Sequence, residues 1–346
     1  MSQLVNRLTR AEHPLVADRT EPSYFDFAGA RAAVLGGAGF LGGHLINELL
    51  HRSVEVIAID NLMTGKDLLG VLEHPSVTFI EHDIIDPFDI EGELDIIFNL
   101  ASPASPTAYL AQPVETLLTN SVGMVNTLDL ASSKGAKVVL ASTSEVYGDP
   151  QVHPQPETYW GHVNPIGPRS VYDEGKRYAE ALSIAVHEAD GLDVSIVRIF
   201  NTYGPGMRHD DGRVVPAFFA AALRGEPLKV HGDGQQTRSL CYVDDLIRGI
   251  LLLGRSHLVG PINLGSDWEV TILDLAEIIL RISGGSSHIE FVERPVDDPS
   301  LRRPDLRLAG ASLGWRPEID LEQGLAMCSP WFEAALAGSQ VERQAR

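Results

Sequence analysis

The chain has 346 residues, 44% of them hydrophobic and 21% charged, enough to bury a sizeable core in one large domain or two closely packed ones. Its formal net charge of −20 repels phosphate backbones and anionic bilayers, which argues against nucleic acid or a membrane surface as a partner. No apolar run approaches the roughly 18 residues that span a bilayer, the N-terminus lacks a signal-peptide core, and Cys241 and Cys328 make no disulfide framework, so a cytoplasmic protein is expected.

A polar leader is expected over residues 1–27. Apolar, β-branched runs then follow at 32–37, 54–60, 77–83, 94–101, 137–143 and 193–200, separated by segments of helical period, notably 40–52, 113–134 and 170–190. Continuous apolar character is what strands covered on both faces require, so this order predicts an α/β fold with a Rossmann-type doubly wound parallel sheet over 28–200. Beyond residue 200 helices near 214–225, 243–254 and 271–283 mix with short strands at 228–231, 262–265 and 289–293. They predict a smaller C-terminal α/β lobe over 201–338 roofing the crevice, with the chain crossing between lobes and a polar tail over 339–346.

The stretch "GGAGFLG" places Gly36, Gly39 and Gly42 in G-x-x-G-x-x-G spacing between the first strand and the first helix. Such glycines allow a tight turn and close approach of a pyrophosphate to a helix N-terminus, where free N–H groups and the dipole favour anions. The next strand ends at Asp60, 18 residues past Gly42, where an acid can accept both hydroxyls of an adenosine ribose and repel a 2′-phosphate. NAD is therefore favoured over NADP, with Asp83, at the end of the third strand, placed to meet the adenine.

Tyr172 and Lys176 in "SVYDEGK" fall at i and i+4, on one face of a helix, and no other Y-x-x-x-K occurs in the chain. An ammonium one turn away is expected to lower the tyrosine pKa and make it a base, and could also hold the nicotinamide ribose. Thr143, at the end of the fifth strand, offers a hydroxyl to the same substrate oxygen, and Ser144 and Glu145 should face the crevice beside it. Twelve histidines are scattered without paired ligand spacing, so no metal site is expected. An anionic small substrate would need a local cluster drawn from the 22 arginines.

The glycine motif, Thr143, Tyr172 and Lys176 together resemble the extended short-chain dehydrogenase/reductase superfamily. Within it, "NLASPASP", "ASTSEVYGDP", "HPQPETYWGHVNPIGPRSVYDEGKR", "RIFNTYGP" and "DGRVV" look like the UDP-glucuronate decarboxylase branch, a resemblance covering about residues 28–330. Leu35, Gly206 and Leu301 depart from that pattern.

The resemblance implies further cofactor contacts at Phe40, Leu41, Asn61, Ile84, Leu100 and Ala101, and at Ser102, Thr119, Ala141, Thr202 and Arg213. It implies substrate contacts at Tyr109, Glu145, Asn201, Arg213, Val230, Arg238 and Arg302, with Ser144, Glu145 and Arg302 also in the chemistry. The implied reaction is oxidation of UDP-glucuronate at C4, loss of carbon dioxide and re-reduction to UDP-xylose, or early release of the 4-keto pentose. A 4-epimerase or 4,6-dehydratase is the nearest rival, and a non-catalytic NAD or sugar sensor a more distant one. The family also implies a homodimer through the helices near 113–134 and 170–190, whose apolar stripes could equally be intramolecular core.

Overall fold

The structure, a computed structural model, describes residues 26–285, 287–293 and 301–344; the expected leader up to residue 25 and the last two residues of the expected tail lie outside these. The first part of the chain runs β1 (Arg31–Leu35), α1 (Phe40–His51), β2 (Glu55–Asp60), β3 (Val77–Glu81), β4 (Ile96–Asn99), α2 (Pro106–Ala111) and α3 (Pro113–Lys134). There follow β5 (Lys137–Thr143), a 3₁₀ turn (Ser144–Tyr147), α4 (Ser170–Asp190), β6 (Val194–Ile199), β7 (Thr202–Tyr203) and α5 (Val214–Arg224). The remainder runs β8 (Leu228–His231), β9 (Thr237–Ser239), β10 (Cys241–Tyr242), α6 (Val243–Arg255), β11 (Pro261–Leu264) and β12 (Glu269–Thr271). It ends with α7 (Ile272–Ser283), β13 (Ile289–Val292), α8 (Arg307–Leu313) and α9 (Leu321–Gln344).

Seven strands form one parallel sheet in the order β11-β6-β5-β4-β1-β2-β3. The period-two geometry of a strand sends alternate side chains to opposite faces, and both faces here are apolar. Ala32 and Val34 of β1 pack in one core with Leu45, Ile46 and Leu49 of α1 and Leu246 and Ile250 of α6. Ala33 and Leu35 pack in the other with Met124 and Leu128 of α3 and Ala179 and Val186 of α4. The strand order reverses between β1 and β4, which opens the crevice at their carboxyl ends.

Three expectations are corrected. The strand at 262–265, read with the smaller lobe, is β11, which pairs with β6 as an edge strand of the main sheet. Helix α6 also packs on that sheet rather than in a roof. Phe27, read as the end of a polar leader, is 3% exposed and stacks on Phe98 with ring centroids 6.3 Å apart. None of the three could be seen locally, because an apolar segment does not reveal which sheet or core it completes.

Candidate active site

β1 leads into Gly36, whose φ of +81° lies in the left-handed region that glycine enters without strain. A Cβ on Gly42 would lie 2.1 Å from the Gly36 carbonyl oxygen, so a side chain there would fill the turn. Gly39 offers α1 no side-chain cap, leaving its first N–H groups available to an anion. Asp60, the last residue of β2, accepts from Ala38 N at 3.0 Å through Oδ2 and from Leu62 N at 2.8 Å through Oδ1. Burial pushes its carboxyl above the ordinary value, against these two bonds. Asn61 Nδ2 donates to Asp83 Oδ2 at 2.9 Å, and Asn126 Nδ2 holds the Ile84 carbonyl at 2.8 Å.

A recess at this end is lined by Gly36, Gly39, Asp60, Asn61, Asp83 and Ile84, together with Leu100, Ala101, Ser102 and Thr119. A turn without side chains at an uncapped helix start, followed by an acid-walled recess, suits a pyrophosphate and an adenosine ribose. A dinucleotide fits these residues.

The recess opens into a cleft of about 1010 Å³, the upper end of the size range for small-molecule sites. Phe40, Leu41, Gly42, Ala141, Thr143 and Tyr172 line it, as do Lys176, Asn201, Thr202 and Arg213. Lys176 Nζ donates to the Ala141 carbonyl at 2.8 Å and lies 5.9 Å from the centre of the Tyr172 ring. The Tyr172 ring stacks on Tyr109, centroids 5.3 Å apart and 8° from parallel. Tyr109 is buried with a hydroxyl that has no hydrogen-bond partner among the described residues, an orphaned polar atom on the cleft wall.

The expected lowering of the tyrosine pKa is not found. Burial pushes the Tyr172 phenol above its ordinary value, opposed by a hydrogen bond with Thr143 and by the charge of Arg213, while Glu145 and Asp173 add to the rise. Burial also brings Lys176 down to about 8, with the Glu180 carboxylate opposing that fall. Helical spacing places the ammonium correctly but says nothing of the desolvation both groups undergo.

Glu145 lies in the 3₁₀ turn directly after β5, its side chain 17% exposed. Arg302 Nη1 donates to its Oε1 and Arg169 Nη2 to its Oε2. Arg302, only 3% exposed, also donates to Ser144 Oγ at 3.2 Å and to the Gly148 carbonyl at 3.1 Å. Burial opposes the Glu145 charge, but the two guanidiniums outweigh it and hold the carboxyl below the usual carboxylate range. Asp173 lies in the same charge cluster, buried, with no hydrogen-bond partner on Oδ1 among the described residues. Burial first, then the Glu145 charge, raises it to about 7 against the pull of Arg169 and Arg302.

Sequence reasoning missed Arg169 and Asp173, although both flank Tyr172 within a few residues. A charged side chain at a helix start carries no signal until the distant charge it meets is known.

Tyr109, Ser144, Glu145, Arg213, Arg238 and Arg302 all line the cleft. Val230 does not: it is fully buried in the apolar core. In β8 the residues facing the cleft are its neighbours Lys229 and His231, as the period of two requires. Among the described residues no group of three or more His, Cys, Asp or Glu side chains could hold a metal ion.

The model of the "NAD dependent epimerase/dehydratase family" matches residues 32–265. The chain is 48% identical over 308 residues to UDP-glucuronic acid decarboxylase 1 of Danio rerio, covering 88% of this chain and 73% of that protein. It is 50% identical over 297 residues to UDP-glucuronic acid decarboxylase 1 of Arabidopsis thaliana, covering 85% and 68%. Among solved structures, a UDP-glucose 4-epimerase with UDP-glucose from Thermotoga maritima superposes with a TM-score of 0.80 at 29% identity, covering 88% of this chain and 99% of that one. A UDP-glucuronic acid 4-epimerase from Bacillus cereus, in complex with UDP-glucuronic acid and NAD, gives 0.77 at 25% identity with the same coverage. A match over more than half of the length, joined to relatives that share about half of their aligned residues with it, makes this chain a member of the NAD dependent epimerase/dehydratase family.

Proposed function

We propose that the chain decarboxylates UDP-glucuronate to UDP-xylose with NAD as its cofactor. The observation that carries this reading is the Glu145–Arg302 pair beside Thr143 and Tyr172, in a chain 48–50% identical to relatives named UDP-glucuronic acid decarboxylases. NAD bound along the glycine turn and Asp60 supplies reversible hydride acceptance at the sugar C4.

Tyr172, in its phenolate form, takes the proton of the C4 hydroxyl and becomes the neutral phenol, with Thr143 bonded to the same oxygen and the Lys176 ammonium close behind to favour the phenolate charge against burial. A ketone at C4 makes the C5 carboxylate a β-keto acid: the bond to the carboxyl carbon breaks, carbon dioxide leaves, and the electron pair moves into an enolate. Thr143 and the protonated Tyr172 donate to that enolate oxygen. A proton then adds to C5, and restored reduction at C4 gives UDP-xylose; release before that gives the 4-keto pentose. Glu145, held as the anion by two guanidiniums, orients Arg302 and the sugar and carries no proton to C5 in the resting site. Arg213, Arg238 and Asn201 are assigned to the diphosphate and its surroundings by chemistry and by their places on the cleft wall.

The test is incubation with UDP-glucuronate, following carbon dioxide and sugar products by mass spectrometry. A 4-epimerase would yield UDP-galacturonate and no carbon dioxide, and that outcome would sink the decarboxylase reading. Among the described residues no helix is long and apolar enough to cross a membrane.

A homodimer is part of the same proposal. Helices α3 and α4 pack on each other, yet α3 leaves Val114 61% and Val122 40% exposed, with Leu117 and Leu118 beside them and Tyr178 on α4. A face of this kind is stabilised by burial against a second copy. Sedimentation equilibrium of the wild type should give twice the monomer mass and of Leu117→Glu the monomer mass; a monomeric wild type would remove the dimer from the proposal.

A further inference from the structure

Glu180 lies one helical turn beyond Lys176 and two beyond Tyr172, so the three share a face of α4. Its Oε1 accepts from Ser142 Oγ at 2.5 Å and from Arg198 Nε at 2.9 Å, and its Oε2 from Arg198 Nη2 at 2.7 Å. Ser142 stands between Ala141, which holds Lys176, and Thr143. The remaining nitrogen of Arg198, Nη1, donates to Tyr147 OH at 2.9 Å, and its guanidinium carbon sits 4.9 Å from the centre of the Tyr147 ring.

Tyr147 closes the 3₁₀ turn that carries Ser144 and Glu145. Its hydroxyl donates to Asn263 Oδ1 at 2.8 Å, and burial pushes its phenol up to about 12, so it keeps that proton. Asn263 Nδ2 donates to the Gln155 carbonyl at 2.9 Å. Gln155 is bonded on both sides to the segment bearing Arg302: Arg303 N donates to its Oε1 at 2.9 Å and Asp305 N to its carbonyl at 2.9 Å. Tyr147, Asn263 and Gln155 are all buried, and none of Glu180, Arg198, Tyr147, Asn263 or Gln155 lines the cleft. In so dry a setting each partner lost leaves another polar atom unsatisfied.

We propose that Glu180, Arg198, Tyr147, Asn263 and Gln155 form a positioning network that joins the Tyr172–Lys176 helix to the Arg302 segment and sets the Glu145–Arg302 pair against the reacting carbons. Its catalytic consequence rests on the decarboxylase reading: oxidation at C4 depends on one end of the network and loss of carbon dioxide on the other. Tyr147→Phe keeps the buried ring and removes the hydroxyl that links Arg198 to Asn263.

In stopped-flow with UDP-glucuronate, appearance of the reduced-cofactor absorbance should stay within about two-fold of wild type. Carbon dioxide release should fall about ten-fold, the equivalent of about 1.4 kcal/mol, so that reduced cofactor accumulates. Equal falls in both steps, or no fall in either, would overturn the proposal. A thermal-unfolding cycle of Tyr147→Phe and Arg302→Lys reads the network without any turnover. The double variant should lower the midpoint by clearly less than the two single shifts together. Strict additivity would remove the link to Arg302, whereas coupling in a wild type that releases no carbon dioxide would leave the network standing and overturn only the substrate reading.

Discussion

Replacing Tyr172 by phenylalanine is expected to lower turnover of UDP-glucuronate by roughly 10²- to 10⁴-fold, the range for loss of a positioned general base. The loss should fall on the first step, so reduced cofactor does not appear even in a single turnover. Folding should be little changed, because a phenylalanine keeps the ring that stacks on Tyr109. Burial holds the phenol above its ordinary value, so the proton transfer relies on Thr143, bonded to it, and on the positive charge nearby. Lys176 titrates at about 8, its ammonium disfavoured by burial. The wild-type rate should therefore fall as pH rises through about 8, where that charge is lost. A Tyr172→Phe enzyme retaining a tenth of wild-type activity would exclude the phenol as the base.

Glu145→Gln should leave NAD affinity unchanged in calorimetry and reduce carbon dioxide release by roughly 10²-fold, with C4 oxidation less affected. The amide keeps an acceptor for Arg302 but not the charge that balances two guanidiniums. The variant should lose about 3 kcal/mol of stability, the low end for breaking a buried pair because the side chain is 17% exposed.

The same variant has a pH signature through Asp173. That carboxyl has an ordinary value of 3.8 and a folded value of about 7, raised by burial and then by the Glu145 charge. The fold favours its protonated form, so this contribution to stability is complete below about pH 4 and is lost as pH rises through about 7. Without the Glu145 charge the folded value drops toward the ordinary one, under the pull of Arg169 and Arg302. Denaturant unfolding at about pH 5 and about pH 8 should then show a smaller difference for Glu145→Gln than for wild type. Glu145 itself, held below its ordinary value, does not titrate across this window, and Lys176 titrates in both proteins without a Glu145 contribution, so the change in the difference between variant and wild type reports Asp173. An unchanged difference, with unchanged carbon dioxide release, would separate Glu145 from both roles.

Sequence alone determined what local geometry controls. The strand–glycine–helix start is legible because Gly36, Gly39 and Gly42 fall within seven residues, and Tyr172 with Lys176 because a helix of 3.6 residues per turn aligns i and i+4. Long, strongly periodic segments such as 113–134 and 170–190 coincide with α3 and α4 for the same reason. Val230, a substrate contact implied by the resemblance, lies in the core, because the alternation of β8 puts its neighbours Lys229 and His231 on the cleft instead.

Only the tertiary structure decided which charges meet. Arg302 reaches Glu145 across 157 residues, and Tyr147 reaches Asn263 across 116, through packing that no local pattern encodes. The return of β11 to the main sheet brings Asn263 to that position. Burial then sets the proton states: it raises Tyr172, lowers Lys176 and holds Asp173 near neutrality, while two guanidiniums keep Glu145 ionised against the same desolvation. Residue types and spacing name the groups that can react, but the solvent they lose and the distant charges they gain on folding decide which of them carries a proton.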